Sequence, residues 1–503
     1  MSVYAAVDIG SNSVRLAVGE GSFAGRLLDS DREVTRIGES VFATGRASQQ
    51  AIEETCRVLE RFAKALARWQ PAAVRAVATS ALRDARNQQE FLKRAGEALG
   101  TPIQIISGRE EARLIHRGVL ARWPKPEKRL LLLDIGGGSA EVTRSENGRI
   151  RYSTSVPLGA VRLTGNFLQH DPPEPEELAR LEEYVDQQFA ASLGRLGRDK
   201  RSRAIGTSAT AGAVIAAVNR VKSEKADGRR AALPEIRRLY RRLARLDVAG
   251  RQRLPAIGPR RAEIIIAGAA VLLYFVEHFT GGVLYFSEAG LRDGIIADLA
   301  ERGVTAEDAK LDPERLRAVT ELARRFGVSV AHGRQVAALA RSLFTGLAAL
   351  HRLPASGAQW LEAAAYLHDV GHYVSASRHH RHSYYVVAHA DLPGFTDRER
   401  QIVASLCRYH RKALPDEDHE AFRELDADDR RAVLRLIPLL RIADGLDRGH
   451  RQLVTSVGCR IEDGETRLEV AGRRGAELDL WGARQAADSF QQVYDSTLTV
   501  APA

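Results

Sequence analysis

The sequence predicts an α/β protein of two related halves around a cleft, followed by a helical part and a small β-containing tail. Three observations predict this. An apolar strand running into a turn of small residues occurs twice, once near Val3 and once near Leu130. Strands and helices alternate over residues 1 to about 125, and the scheme repeats from about 126 to 300. From Pro313 onwards the pattern is helical and rich in Ala, Leu and Arg.

In the first copy Val3-Tyr4-Ala5-Ala6-Val7 leads into Asp8-Ile9-Gly10-Ser11-Asn12-Ser13 and continues as Val14-Arg15-Leu16-Ala17-Val18. In the second, Leu130-Leu131-Leu132-Leu133 leads into Asp134-Ile135-Gly136-Gly137-Gly138-Ser139 and continues as Ala140-Glu141-Val142-Thr143. Each is a strand, a tight turn and a strand. Such a turn exposes backbone N–H groups and hydroxyls, which suits phosphate oxygens. The leading Asp sits where a strand ends and can hold a divalent metal, usually through water. Two facing copies would clamp a phosphate chain from both sides. No Gly-Lys-Ser/Thr follows the glycines, so this is not a P-loop, and a strand rather than a helix follows, so it is not the Rossmann fingerprint.

Ala51 to Trp69 has the spacing of an amphipathic helix, and Val74 to Ala78 reads as the next strand. In the second half, Ala204-Ile205-Gly206-Thr207-Ser208-Ala209-Thr210 reads as a strand-to-helix turn with a Thr/Ser cap. The polar stretch Glu307 to Pro313 marks a boundary. Strand-like alternation returns over Arg460 to Leu480.

The two turn motifs resemble the phosphate motifs of the exopolyphosphatase / guanosine pentaphosphate phosphatase family. Further segments agree, in the family's order: Ala78 to Asn87, Ile106 to Arg113, Gly206 to Thr210 and Gly290 to Gly294. The resemblance spans roughly the first 300 residues, and the C-terminal part is similar to the family's longer members. It implies two actin-like, ribonuclease H-like α/β domains at 1–125 and 126–302, a helical HD-like domain at 303–455 and a small module at 456–503. It implies exophosphatase activity on inorganic polyphosphate, on guanosine penta- or tetraphosphate, or on both, in a homodimer that needs no nucleic acid. The alternatives are a polyphosphate- or alarmone-binding regulator, and a phosphohydrolase working through the HD-like domain.

Phosphoanhydride hydrolysis needs a bound phosphate, charge neutralisation and an oriented water. Asp8, Gly10, Ser11, Asn12 and Ser13 would hold one side of the chain, and Gly136, Gly137, Gly138 and Ser139 the other. Asp134 and Glu141 bracket the second turn and, by resemblance, bind Mg2+, with Mn2+ as its substitute. Glu110 and Glu111 stand just before a helix; by resemblance Glu111 is the water-activating base, with Glu110 the fallback. Gly206, Thr207, Ser208 and Arg83 complete the expected phosphate contacts. Arg32, Arg36 and Arg109 are weaker candidates.

Histidines cluster in the helical half. His332, His368-Asp369 and a distant Asp444 resemble the HD metal-dependent phosphohydrolase pattern, with His382 and His410 where two-metal members carry extra ligands. Imidazole with carboxylate suits Mn, Fe, Ni or Zn. The resemblance equally allows this domain to serve as scaffold and polyphosphate channel.

The net charge of +10 suits a polyanionic partner, or simply reflects an Arg-rich composition. Cys56, Cys407 and Cys459 are too few and too scattered for a disulfide framework or a zinc knot. There is no basic-plus-apolar leader, and the longest apolar run, Ile264 to Val276, is too short to span a bilayer. A cytoplasmic protein is expected.

Overall fold

The structure, a computed structural model, describes residues 2–21, 25–123, 128–194, 199, 201–222, 229–304, 310–416, 418–462 and 464–503. The chain divides into two compact units, Met1–Gly303 and Val304–Ala503. The division falls beside the expected boundary stretch, of which 307–309 lie outside the described residues.

The first unit carries two sheets of like topology. In the first lobe β1 (Val3–Ile9), β2 (Ser13–Glu20), β3 (Leu27–Val34), β4 (Ala73–Ala78) and β5 (Ile103–Ile105) are ordered β3-β2-β1-β4-β5. In the second lobe β6 (Arg129–Ile135), β7 (Ala140–Glu146), β8 (Arg149–Val156), β9 (Arg203–Gly206), β10 (Arg230–Ala232) and β11 (Val283–Phe286) are ordered β10-β11-β9-β6-β7-β8. In both, the opening strands form an antiparallel meander and the later ones add in parallel to the first. The second lobe adds only β10, antiparallel at the edge.

Both faces of the central strands are buried, so these strands read as nearly continuous apolar runs. Ala5, Val7 and Ile9 join one core with Ile52, Leu59, Phe62 and Leu66 of the Gln49–Trp69 helix. Ser48 caps that helix by accepting from the N–H of Ala51. Tyr4 and Ala6 point the other way, towards Leu114, Ile295 and Ile296. The second lobe repeats the alternation: Leu131, Leu133 and Ile135 face its main core, while Leu130 and Leu132 face Val119.

Two helices depart from the expected boundaries at 125 and 302. Gly108–Arg122 lies against β7 and β8 as well as against the first lobe. Leu291–Val304 returns to pack on the first sheet. Each packs on strands of the other lobe, which a linear division at a composition change does not register.

The second unit packs the helices Pro313–Arg325, Val330–Gly346, Ser356–Leu367, His379–Ala388, Asp397–Tyr409 and Ala427–Gly445 around one core. The sheet β12 (Val454–Glu462), β13 (Glu465–Gly472) and β14 (Thr497–Pro502), ordered β12-β13-β14, contributes Val454, Val457, Leu468, Val470, Leu498 and Val500 to that same core. The expected tail module is therefore continuous with the helical part. Its strands begin before Arg460, and the expected alternation gives way to the helix Glu477–Arg484 before Leu480. No helix is long and apolar enough to cross a membrane among the described residues.

Candidate active site

The two glycine turns close in the same way. Gly10 donates its N–H to the Ser13 carbonyl at 3.1 Å, and Gly136 donates to Ser139 at 2.9 Å. The N–H groups of Gly137 and Gly138 donate to no protein acceptor. The turns face one another at contact distance. A Cβ on Gly137 would lie 2.9 Å from the Ser11 Cβ; on Gly138 it would lie 2.4 Å from the Phe42 ring and 2.6 Å from the Ser80 hydroxyl. Glycine is what lets the lobes meet here. Arg162 pins the contact: its Nε donates to the Gly138 carbonyl at 2.8 Å, and its guanidinium stacks on Phe42 and pairs with Asp84.

Four carboxyl groups converge beneath the turns. Asp8, Glu111 and Asp134 line the cavity, and Glu141 stands opposite Asp134 in the β6–β7 register. All four are held above the usual carboxylate range, with burial the largest cause. Asp134 accepts from the Thr207 hydroxyl at 2.5 Å. Glu141 accepts from Ser155 at 2.7 Å through Oε1, while its Oε2 is buried without a hydrogen-bond partner. Glu111 is pushed up to about 7 by burial, against the pull of Arg83 at 2.9 Å, with Asp8 and Asp134 adding to the rise.

This donor set fits a hard divalent cation. Among the described residues no three of these carboxylates bring ligand atoms within 4.8 Å of one another. A hard cation such as Mg2+ usually takes one or two carboxylates and completes its shell with water and phosphate oxygens.

Glu110 and Glu111 are neighbours with opposite fates. Glu110 turns into a buried ion network, pairing with Arg75 at 3.0 Å and Arg113 at 2.7 Å, both of which also hold Asp298. The arginines hold its carboxyl below the usual range despite burial. It does not line the cavity, and the fallback role as base has no geometric support.

Other expected contacts also move. Arg83 binds Glu111 and the Ile106 carbonyl and does not line the cavity. Gly206 lies beneath the cavity, where a Cβ would meet that of Ala211 at 2.7 Å; Thr207 and Ser208 line it. Arg36 pairs with Glu39 and Glu263, and Arg109 is exposed. The cations that line the cavity are Arg15, Arg32, Arg261 and Arg292. Burial and mutual repulsion pull Arg32 down to about 10 and lower Arg261 and Arg292. Sequence reasoning passed over three of them. One signal was available: Arg15 pairs with Asp8 where Glu141 pairs with Asp134, seven residues on in each copy.

In the second unit His332, His368 and Asp444 come together, as do Asp369, His372 and His379. His410 Nε2 lies 3.2 Å from His379 Nε2 and 3.8 Å from Asp369. His382 does not join these groups; His379, the first residue of its helix, takes the inward position instead. His450, which sequence reasoning missed, stacks on His332 at 3.8 Å.

Comparison with known proteins supplies the relationship. The model of the Ppx/GppA phosphatase family matches residues 17–303, and that of Ppx/GppA phosphatase domain III matches 315–476. The chain belongs to the Ppx/GppA phosphatase family. It is similar to the Aquifex aeolicus Ppx/GppA member, at 28% identity over 61% of this chain and 99% of that one, with a TM-score of 0.51. It is similar to an exopolyphosphatase-like protein at 26% identity, covering 60% and 99%, with a TM-score of 0.54. An exopolyphosphatase from Cytophaga hutchinsonii, 21% identical over 59% and 98%, shares the fold with a TM-score of 0.54. The paired sheets are the actin-like fold of this family.

Proposed function

We propose that this Ppx/GppA phosphatase is a magnesium-assisted exopolyphosphatase in which Glu111 activates water. One observation carries the reading: a buried carboxyl, raised to about 7, faces a cavity walled by two phosphate-type turns. A base poised near neutral pH accepts a proton efficiently without being fully protonated. The family match and the similarity to an exopolyphosphatase-like protein support hydrolysis and the polymer as substrate.

The terminal phosphate would sit against the Gly137 and Gly138 N–H groups, with Ser11 and Ser139 beside it. Water then attacks phosphorus from the Glu111 side, its proton passes to the carboxylate, and the bridging P–O bond breaks. The leaving oxygen stays on the shortened chain, whose charge Arg15, Arg32, Arg261 and Arg292 offset. Asp134 and Glu141, with Asp8 nearby, would hold Mg2+; the orphaned Oε2 of Glu141 and the mutual repulsion of the carboxylates fit it. When bound, the cation neutralises phosphate charge and so eases nucleophilic approach.

The lining favours an inorganic chain over guanosine pentaphosphate. Among the described residues it contains arginines, hydroxyls and glycines but no aromatic ring on which a base would stack. The test is magnesium-dependent phosphate release from long-chain polyphosphate and from guanosine pentaphosphate, in wild type and Glu111→Gln. Release from the polymer, lost in the variant, is expected. A variant with full turnover removes Glu111 as base, and release from the nucleotide alone recasts the substrate.

A further inference from the structure

On the reading of the cleft as a phosphate site, we propose that Arg162 is a positioning residue. It aims the N–H of Ser139 into the cavity and makes that aim depend on the first lobe.

Each carbonyl of the second glycine turn is held from behind. The Gly136 carbonyl accepts from the N–H of Ala160 at 2.9 Å, and the Gly137 carbonyl from those of Val161 at 2.9 Å and Arg162 at 3.0 Å. The Gly138 carbonyl accepts from Arg162 Nε at 2.8 Å. All these donors belong to the first turn of the helix Ala160–Phe167. In a trans peptide the carbonyl and the following N–H point opposite ways. Holding three carbonyls on the helix therefore turns the N–H groups of Gly137, Gly138 and Ser139 away from it, on a turn that lines the cavity. None of the three donates to a protein acceptor. Gly159 permits the approach, since a Cβ there would lie 2.3 Å from the Gly138 backbone.

The first copy is held differently. Ser11 and Asn12 stand there where Gly137 and Gly138 stand in the second. The Ser11 carbonyl accepts from the N–H of Gly38 at 2.7 Å, and the Asn12 carbonyl from those of Thr35 and Arg36 at 3.2 Å each. Backbone holds both. In the second copy no backbone N–H donates to the Gly138 carbonyl among the described residues, and a side chain takes that place. That side chain is fixed by the other lobe. Its guanidinium carbon stands 4.1 Å from the centre of the Phe42 ring, and its Nη2 reaches the Ser80 hydroxyl at 3.4 Å and pairs with Asp84. Arginine suits the task, because its planar fork donates in two directions while its face stacks on a ring. Arg162 does not line the cavity, so it acts through the peptide. Without Phe42, Ser80 and Asp84 the guanidinium keeps only the Gly138 carbonyl, and that peptide is free to turn. Seating a phosphate and bringing the lobes together are thereby one event.

The experiment is calorimetric titration of inorganic tripolyphosphate, with magnesium, into the full chain carrying Glu111→Gln, alone and with Arg162→Met, Asp84→Asn or both. Arg162→Met is expected to weaken binding about tenfold to a hundredfold, the range of a charge-assisted hydrogen bond. Asp84→Asn is expected to weaken it less, and to add nothing once Arg162 is replaced, because it acts through that side chain. A merely structural role would lower the thermal midpoints and leave the affinity of the folded protein unchanged. Equal affinity in an Arg162→Met protein that folds, by circular dichroism, overturns the proposal. So does an Asp84→Asn effect of the same size with and without Arg162. Phosphate release followed in the same samples reports on Glu111 alone, so the reading of the base and this proposal fail separately.

Discussion

Replacing Glu111 by Gln should make the protein more stable at alkaline pH while strongly lowering turnover. The carboxyl is largely buried and faces Arg83 from the Ser80–Asp84 helix, Asp8 from β1, Asp134 from β6 and Glu141 from β7. Its folded-state value is raised from 4.5 to about 7. The folded state therefore keeps the proton longer than the unfolded chain does. The stability this brings is fully present below about 4.5 and is lost as pH rises through about 7. At about 1.36 kcal/mol per pH unit, the loss is about 3 kcal/mol. Gln mimics the neutral form and loses nothing, and it also relieves Glu141, which Glu111 repels. Urea unfolding of the full chain in chelator, with the first unit's transition assigned by hydrogen exchange, should show a variant-minus-wild-type difference that grows by about 3 kcal/mol between these limits. Parallel pH profiles for the two proteins would refute the argument that Glu111 carries a buried, poorly compensated charge. Phosphate release should fall by about a hundredfold to ten-thousandfold, the usual worth of a general base.

Asp298→Ala leaves Arg75 and Arg113 facing Glu110 alone in the interior, and should cost about 3–5 kcal/mol in urea unfolding. Gly138→Ala drives a methyl group into Phe42 and Ser80; it should cost about 1–3 kcal/mol and lower kcat, because the turns can no longer meet. Arg261→Ala removes one of four cavity cations and should raise KM about tenfold or more, as loss of a charged contact worth about 1.5–3 kcal/mol would, with a shallower salt dependence of KM.

Much of the first unit was legible because two signals agreed. The strand period and the small-residue turn repeat together, so Asp8, Gly10, Asp134 and Gly136 could be placed at strand ends from spacing alone. The identity of the arginines was not legible. Arg83 stands in a matched motif yet spends its charge on Glu111, while Arg261 sits in an unremarkable basic run and lines the cavity. Which of many arginines meets a cavity depends on how the helices pack, and periodicity does not carry that. Likewise Glu110 and Glu111 share the start of one helix, and the angle between successive side chains sends one to the ion network and the other to the cleft. In the second unit sequence reasoning took His382 from the histidine-rich run, whereas the helix begins at His379 and it is His379 that joins the cluster.

The pairing of Asp8 with Arg15, against that of Asp134 with Glu141, puts a cation in one hairpin at the register position where the other carries a second carboxylate. A linear phosphate chain is the same read from either end and carries no sense of direction. A cleft formed from two identical hairpins would share that indifference, seating the chain either way and presenting no distinct end to the base. One reversed charge at one register position breaks the tie. On the function proposed above, the carboxylate side would take a metal and the chain's terminus, and the arginine side what remains. A change of charge at one register position in one half of a duplicated fold thus contributes to giving a near-symmetric grip a front and a back.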